Sequence, residues 1–179
     1  MALISASTIL TSLCLFHVTL AYFFYTSPHT IADQAFVWVL GEAVGMPQTQ
    51  YFSTPSPTSS FLAVVLFFVG LSDLMTLSMP EEIWLIHYWG AQAPARIVVF
   101  ACLTLFTYLT TPPAASHHHY PPAYGTASGS EGLRNRVFFA FTLLESLSWF
   151  WAWVTLREEA AAFIVRKRRR SSSSARDRP

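Results

Sequence analysis

No lysine or arginine occurs before Arg96. Charge is scarce overall, at 12% of 179 residues against about 25% in an ordinary soluble domain. So little charge cannot clothe a globular surface in water, which excludes a soluble domain. Glycine is also sparse, with seven in all, and none forms a phosphate cradle. There is no nucleophile elbow, phosphate loop, zinc-protease helix or dinucleotide fingerprint. Nothing therefore points to an enzyme, a cofactor or a catalytic residue, and no direct nucleic-acid binding is expected. The two cysteines, Cys14 and Cys102, both fall in apolar runs without metal-type spacing. They read as small buried hydrophobes rather than a disulfide or metal ligands. The N-terminal apolar run lacks the basic flank and small-residue cleavage site of a signal peptide, so a retained first span is expected.

Long apolar runs are what the sequence does have. Residues 137–156 are almost unbroken hydrophobe, closed by Arg136 and Arg157 and interrupted by one ionisable group, Glu145. Twenty such residues cross a hydrocarbon core of roughly 30 Å. The run from Trp149 to Trp153 has the composition of an interfacial aromatic belt. Similar runs at about 3–25, 61–79 and 95–111 complete four spans. Residues 31–46 are helical in pattern but too short to cross, and Asp33 and Glu42 interrupt them. They read as an interfacial helix. The segment after Pro80 mixes Trp84, His87, Tyr88 and Trp89 and reads as juxtamembrane, with Pro94 and Arg96 opening the third span. The sequence predicts an all-α, multi-pass membrane domain over 1–165, a bundle of four transmembrane helices plus one interfacial helix. A basic, Ser-rich tail over 166–179 is expected to be disordered, and the Pro- and His-rich loop at 112–135 to be mobile.

Four spans place both termini on one side, together with the loop between spans two and three. That side carries nine of the eleven basic residues, eight of them from Arg157 onward. The positive-inside rule puts it in the cytosol.

Ionisable groups within the spans are the candidate functional residues, because a charge in hydrocarbon costs several kcal/mol unless paired or hydrated. Asp73 lies about 9 Å of helix rise from the cytosolic end of its span, within reach of Arg96 at the mouth of the next. The plainer expectation is a structural pair, and the sharper one an ion or substrate path. Glu145 and His17 fall at similar depth, about 12 Å from the lumenal ends of their spans. The plainer expectation has each bonding hydroxyls or backbone separately. The sharper one makes them a proton relay. The His117–His119 run could bind a divalent metal, but no cysteine or carboxylate stands near to complete a site. The block at Arg166, Lys167 and Arg168 reads as a topological anchor, as a contact for anionic lipid opposed by phosphorylation of Ser171–Ser174, or as an arginine-type retrieval address.

The order of segments carries a resemblance. The stretch Val39-Leu40-Gly41-Glu42-Ala43-Val44-Gly45-Met46-Pro47-Gln48 precedes a span with Gly70-Leu71-Ser72-Asp73-Leu74. Pro94-Ala95-Arg96-Ile97-Val98-Val99-Phe100 follows, then a last span with Glu145 and Trp149 that exits as Arg157-Glu158-Glu159. From about Ile31 to Glu159 this resembles the fungal "increased loss of mitochondrial DNA" family. The resemblance implies an endoplasmic reticulum membrane protein needed indirectly for mitochondrial genome maintenance. Its partners would be the lipid bilayer and other reticulum membrane proteins. Asp73, Arg96, Glu145 and the Arg157, Glu158, Glu159 exit are the matching polar positions. The alternative is a small ion channel or ion-homeostasis protein of the same membrane, working through Asp73, Arg96 and Glu145.

Overall fold

The computed structural model describes residues 4–47, 52, 54–110 and 132–176, and among these there is no strand. Helix α1 (Ala6–Thr26) starts at Ser5, whose hydroxyl accepts the Thr8 N–H at 3.3 Å. Its hydroxyls bond back to its own carbonyls, Thr11 to Ser7 and Ser12 to Thr8, so they enter hydrocarbon already satisfied. Pro28 denies Ser27 a helical conformation and ends α1.

The segment expected to be one interfacial helix is two helices, α2 (Pro28–Ala32) and α3 (Ala35–Val44). Pro28 is well suited to a first helical turn, so helix begins earlier than expected. The break falls at Asp33 and Gln34, where the Gln34 amide donates to the free Thr30 carbonyl at 3.1 Å. Helix α3 ends on Gly45 at φ 72°, a left-handed turn that favours glycine, with Met46 N–H returning to the Gly41 carbonyl.

Helix α4 (Pro57–Thr76) opens four residues before its apolar run. Ser56 and Ser59 cap it reciprocally, each side chain bonding the other's backbone N–H at 3.0–3.1 Å. The segment after Pro80 joins the helix of the third span. Residues Ile83–Tyr88 form a π-helical turn running straight into α5 (Trp89–Thr110), one apolar helix of 28 residues. The wider turn brings Trp84 and Trp89, five apart, onto the buried face, and Ala93 continues that stripe. Pro94 is therefore inside a helix and does not open one.

Helix α6 (Arg136–Arg176) has 41 residues, about 60 Å of rise, twice what a bilayer needs. It runs through the basic block, correcting the expectation of a disordered tail over 166–176. Arginine and lysine are good helix formers. Ion pairs from Arg166 to Glu81 (3.7 Å) and from Lys167 to Glu82 (2.5 Å) hold that part of the helix near the start of α5. Residues 177–179 and the loop residues 111–131, including the His117–His119 run, lie outside the described residues.

Helix α1 packs chiefly on α4, and α5 on α6. Gly70 permits the first contact, because a Cβ there would stand 2.9 Å from the Cys14 carbonyl oxygen. The surface is inverted relative to a soluble protein. Phe68 is 69% exposed while Asp73 is 2% and Glu145 0% exposed. Four helices are long and apolar enough to cross a membrane, and this outward apolar face is the one such a protein presents to lipid.

Candidate functional site: an intramembrane polar cluster

Each of the four long helices delivers a polar side chain to one place. Asp73 of α4 receives both guanidinium nitrogens of Arg96, Nη1 to Oδ2 at 2.5 Å and Nη2 to Oδ1 at 2.8 Å. This fork geometry satisfies both carboxylate oxygens at once. The pairing expected from sequence is present, but its setting differs. Arg96 is not at the mouth of its helix. With α5 extended back to Ile83, it lies about 20 Å of rise from either end of the 28-residue helix. Asp73 is three residues from the end of α4.

Arg96 has a second set of partners. Its guanidinium carbon lies 4.6 Å from the ring centre of Trp149 and 5.2 Å from that of Trp89. The two indoles stack at 5.2 Å with 22° between their planes. A desolvated cation over such faces gains on the order of 2 kcal/mol. Trp149 is therefore an interior residue, 1% exposed, and not part of an interfacial belt. Trp89 has no signal in sequence that separates it from the aromatics around it. Only the π turn rotates it inward.

From Trp149 the cluster continues to Glu145, one turn earlier on α6. The indole N–H donates to Glu145 Oε2 at 2.8 Å. The other carboxylate oxygen, Oε1, stands 3.2 Å from His17 Nε2 on α1. The expectation that Glu145 and His17 bond separately to other groups is thus corrected, since the packing brings them together. Their contact is close but not aligned as a hydrogen bond. Glu145 Oε1, His17 Nδ1 and Trp89 Nε1 have no hydrogen-bond partner among the described residues. The order across the bundle is Asp73, Arg96, the indole pair, Glu145, His17, one continuous path through all four helices.

Cys14 is buried beside this cluster, whereas Cys102 lies on the exposed face of α5, so the expectation that both are buried holds only for Cys14. No group of three or more His, Cys, Asp or Glu placed to hold a metal ion occurs among the described residues.

The exit residues serve the ends of the bundle. Glu159 accepts the Ala6 N–H at 2.8 Å, placing a carboxylate at the positive end of α1. Arg157 covers the Trp153 ring at 5.0 Å. Glu158 and Arg168 are exposed. Lys167 beside Glu82 holds that carboxyl below the usual carboxylate range. At the opposite end, Arg136 bonds Glu42 (2.8 Å) and the Met46 carbonyl (2.7 Å), clasping α3 to α6. Gly41 makes room for it, since a Cβ there would overlap the Arg136 side chain. Sequence reasoning read Arg136 only as the end of a span and missed this clasp.

A cavity of about 360 Å³ lies between α1, the α2–α3 segment and α6. Neither Asp73, Arg96, Glu145 nor His17 lines it. No curated protein and no solved structure matches the chain. A family match covers residues 4–166, so it takes in the first span and the start of the basic block, both outside the stretch that carries the resemblance in sequence. On that match, the chain belongs to the increased loss of mitochondrial DNA protein 1 (Ilm1) family.

Proposed function

We propose that the protein is a non-enzymatic component of the endoplasmic reticulum membrane that supports mitochondrial genome maintenance indirectly. Both termini and the basic end of α6 face the cytosol in this reading. The family is named for loss of mitochondrial DNA, which supplies the biological context. The observation that carries the molecular part is the use of the intramembrane charges. Asp73 and Arg96 are spent on each other, and Glu145 accepts from Trp149 with His17 3.2 Å away. Charges paired in this way fix helix packing and register, and a scaffold needs no more. The lipid bilayer and other reticulum membrane proteins are the partners this reading implies.

The ion-handling alternative draws on one feature, the buried Glu145 and His17 atoms without hydrogen-bond partners. Against it, the large cavity does not open onto the cluster, and stacked indoles stand between the two carboxylates.

The test uses a fungal host deprived of its own family member. Wild type and Arg96→Leu are expressed at equal levels, and mitochondrial genome copy number is measured against nuclear DNA. Wild type restores copy number from reticulum fractions, and Arg96→Leu does so only in part. Failure of wild type to restore it, or its residence in mitochondrial membranes, defeats the proposal. Ion flux through liposomes separates the alternative. Equal flux with and without the protein, and with Glu145→Gln, removes it.

A further inference from the structure

The cavity lies along the seam between helices α1 and α6. They run antiparallel and meet at the Ala6 end, where Leu10 and Leu13 share a core with Ala152 and Leu156. The His17–Glu145 contact lies further along both helices. Beyond it a cavity lies between them, with Phe16, Leu20 and Phe23 on one wall and Ala140, Phe141 and Leu144 on the other, while Ala21 and Phe24 share a second core with Val137 and Ala140. The α2–α3 segment closes the far end through Ile31 and Val37. The result is a wedge inside the bundle whose mouth includes the exposed Thr19, Gln34 and Phe36.

Its size and chemistry restrict what fills it. An apolar cavity of about 150 Å³ already stays dry and takes up benzene. This one is about 360 Å³. Water needs two to four polar partners to be held, and the only polar side chains in the lining are Thr19, Thr30 and Gln34. The polar side chains at the rim are uncharged. Thr19 and Gln34 already donate to carbonyls of Leu15 and Thr30. No Lys, Arg, Asp or Glu lines the wedge. The exposed Asp33 caps α2 next to the rim, which disfavours an anionic group there.

We propose that this wedge is a binding site for one acyl chain of a membrane lipid with a net-neutral headgroup, held between α1 and α6 under the α2–α3 cap. Lipid tails are as apolar as the cavity walls, so the hydrophobic effect gives no preference for the site over bulk bilayer. Retention comes from packing against the aromatic rings. The site is independent of the polar cluster, and it stands whether or not the protein acts in genome maintenance.

The test is photolabelling of the full chain in nanodiscs, using phosphatidylcholine with a diazirine near the acyl terminus, followed by peptide mapping. Labelling is expected to concentrate on residues 16–24 and 137–144, and native mass spectrometry is expected to find one retained lipid per chain. Unlabelled phosphatidylcholine competes for these peptides, and phosphatidylglycerol competes at least tenfold less. Ala140→Phe fills the wedge and lowers labelling of these peptides at least tenfold while helix content is kept. Should that variant not fold, the wild-type map and competition decide alone. Label spread evenly over the lipid-facing helices overturns the proposal. So does stronger competition by phosphatidylglycerol, or preferential labelling of the same peptides by a sterol probe.

Discussion

Replacing Asp73 by Asn tests the centre of the bundle. Asp73 is 3% and Arg96 21% exposed at the side chain. Removing one partner of a buried ion pair costs about 3–5 kcal/mol, because the other charge stays behind. Two features move this case to the lower end. Arg96 keeps its faces of Trp149 and Trp89, and asparagine still accepts one of the two hydrogen bonds. The expected loss is about 3 kcal/mol. Arg96→Gln leaves Asp73 as the stranded charge and costs a similar amount. The double variant strands neither charge and loses much less than the sum, so the coupling energy is at least about 2 kcal/mol. The assay is equilibrium unfolding in mixed micelles titrated with dodecyl sulfate, read by indole fluorescence, since both cluster tryptophans report on the site. Single costs below about 1 kcal/mol, or costs that add within about 0.5 kcal/mol, refute the pair as a structural element.

Trp149→Phe keeps the aromatic face but removes the N–H from Glu145 Oε2, leaving a fully buried carboxylate worse satisfied. A loss of about 1–3 kcal/mol is expected in the same titration, and no loss contradicts the assigned hydrogen bond. Gly70→Ala places a Cβ 2.9 Å from the Cys14 carbonyl oxygen and 3.1 Å from His17 Cβ, forcing α1 and α4 apart. It is expected to cost about 1–3 kcal/mol, and a neutral result means that the helices do not approach so closely. The clasp between Lys167 and Glu82 depends on pH. The Glu82 carboxyl is held low by the ammonium, so its contribution is complete above the ordinary carboxylate range. It is lost as pH falls through the lowered value. Spin labels on residues 79 and 170 report a distance that is short at neutral pH and lengthens as pH falls below the ordinary carboxylate range. A distance insensitive to both acid and Lys167→Met rules the clasp out.

Much of the architecture was legible in sequence because hydrocarbon imposes a length and a composition on any segment that crosses it. Only helices satisfy their own backbone there, so apolar runs of the right length identify the spans without tertiary information. The pairing of Asp73 with Arg96 was legible for a related reason, since an intramembrane charge requires a partner and few are available. The start of α5 was not. Trp84, His87, Tyr88 and Trp89 have the composition of an interface, and a π turn leaves no mark in hydrophobic period. The helical course of Arg166–Arg170 was hidden too, because the carboxylates that hold it, Glu81 and Glu82, lie some eighty residues earlier.

The sequence by itself determined that this chain is all-α, lives in a membrane and must neutralise a handful of buried charges, because transfer into hydrocarbon penalises each unpaired group regardless of fold. Only the tertiary structure decided which groups meet. Four helices had to be rotated and shifted against one another before Arg96 could lie over two indoles and Glu145 could reach His17. The same packing left the wedge between α1 and α6 beneath α2 and α3. Such contacts depend on helix phase and crossing, which side chains far apart in the chain settle jointly and no local stretch encodes.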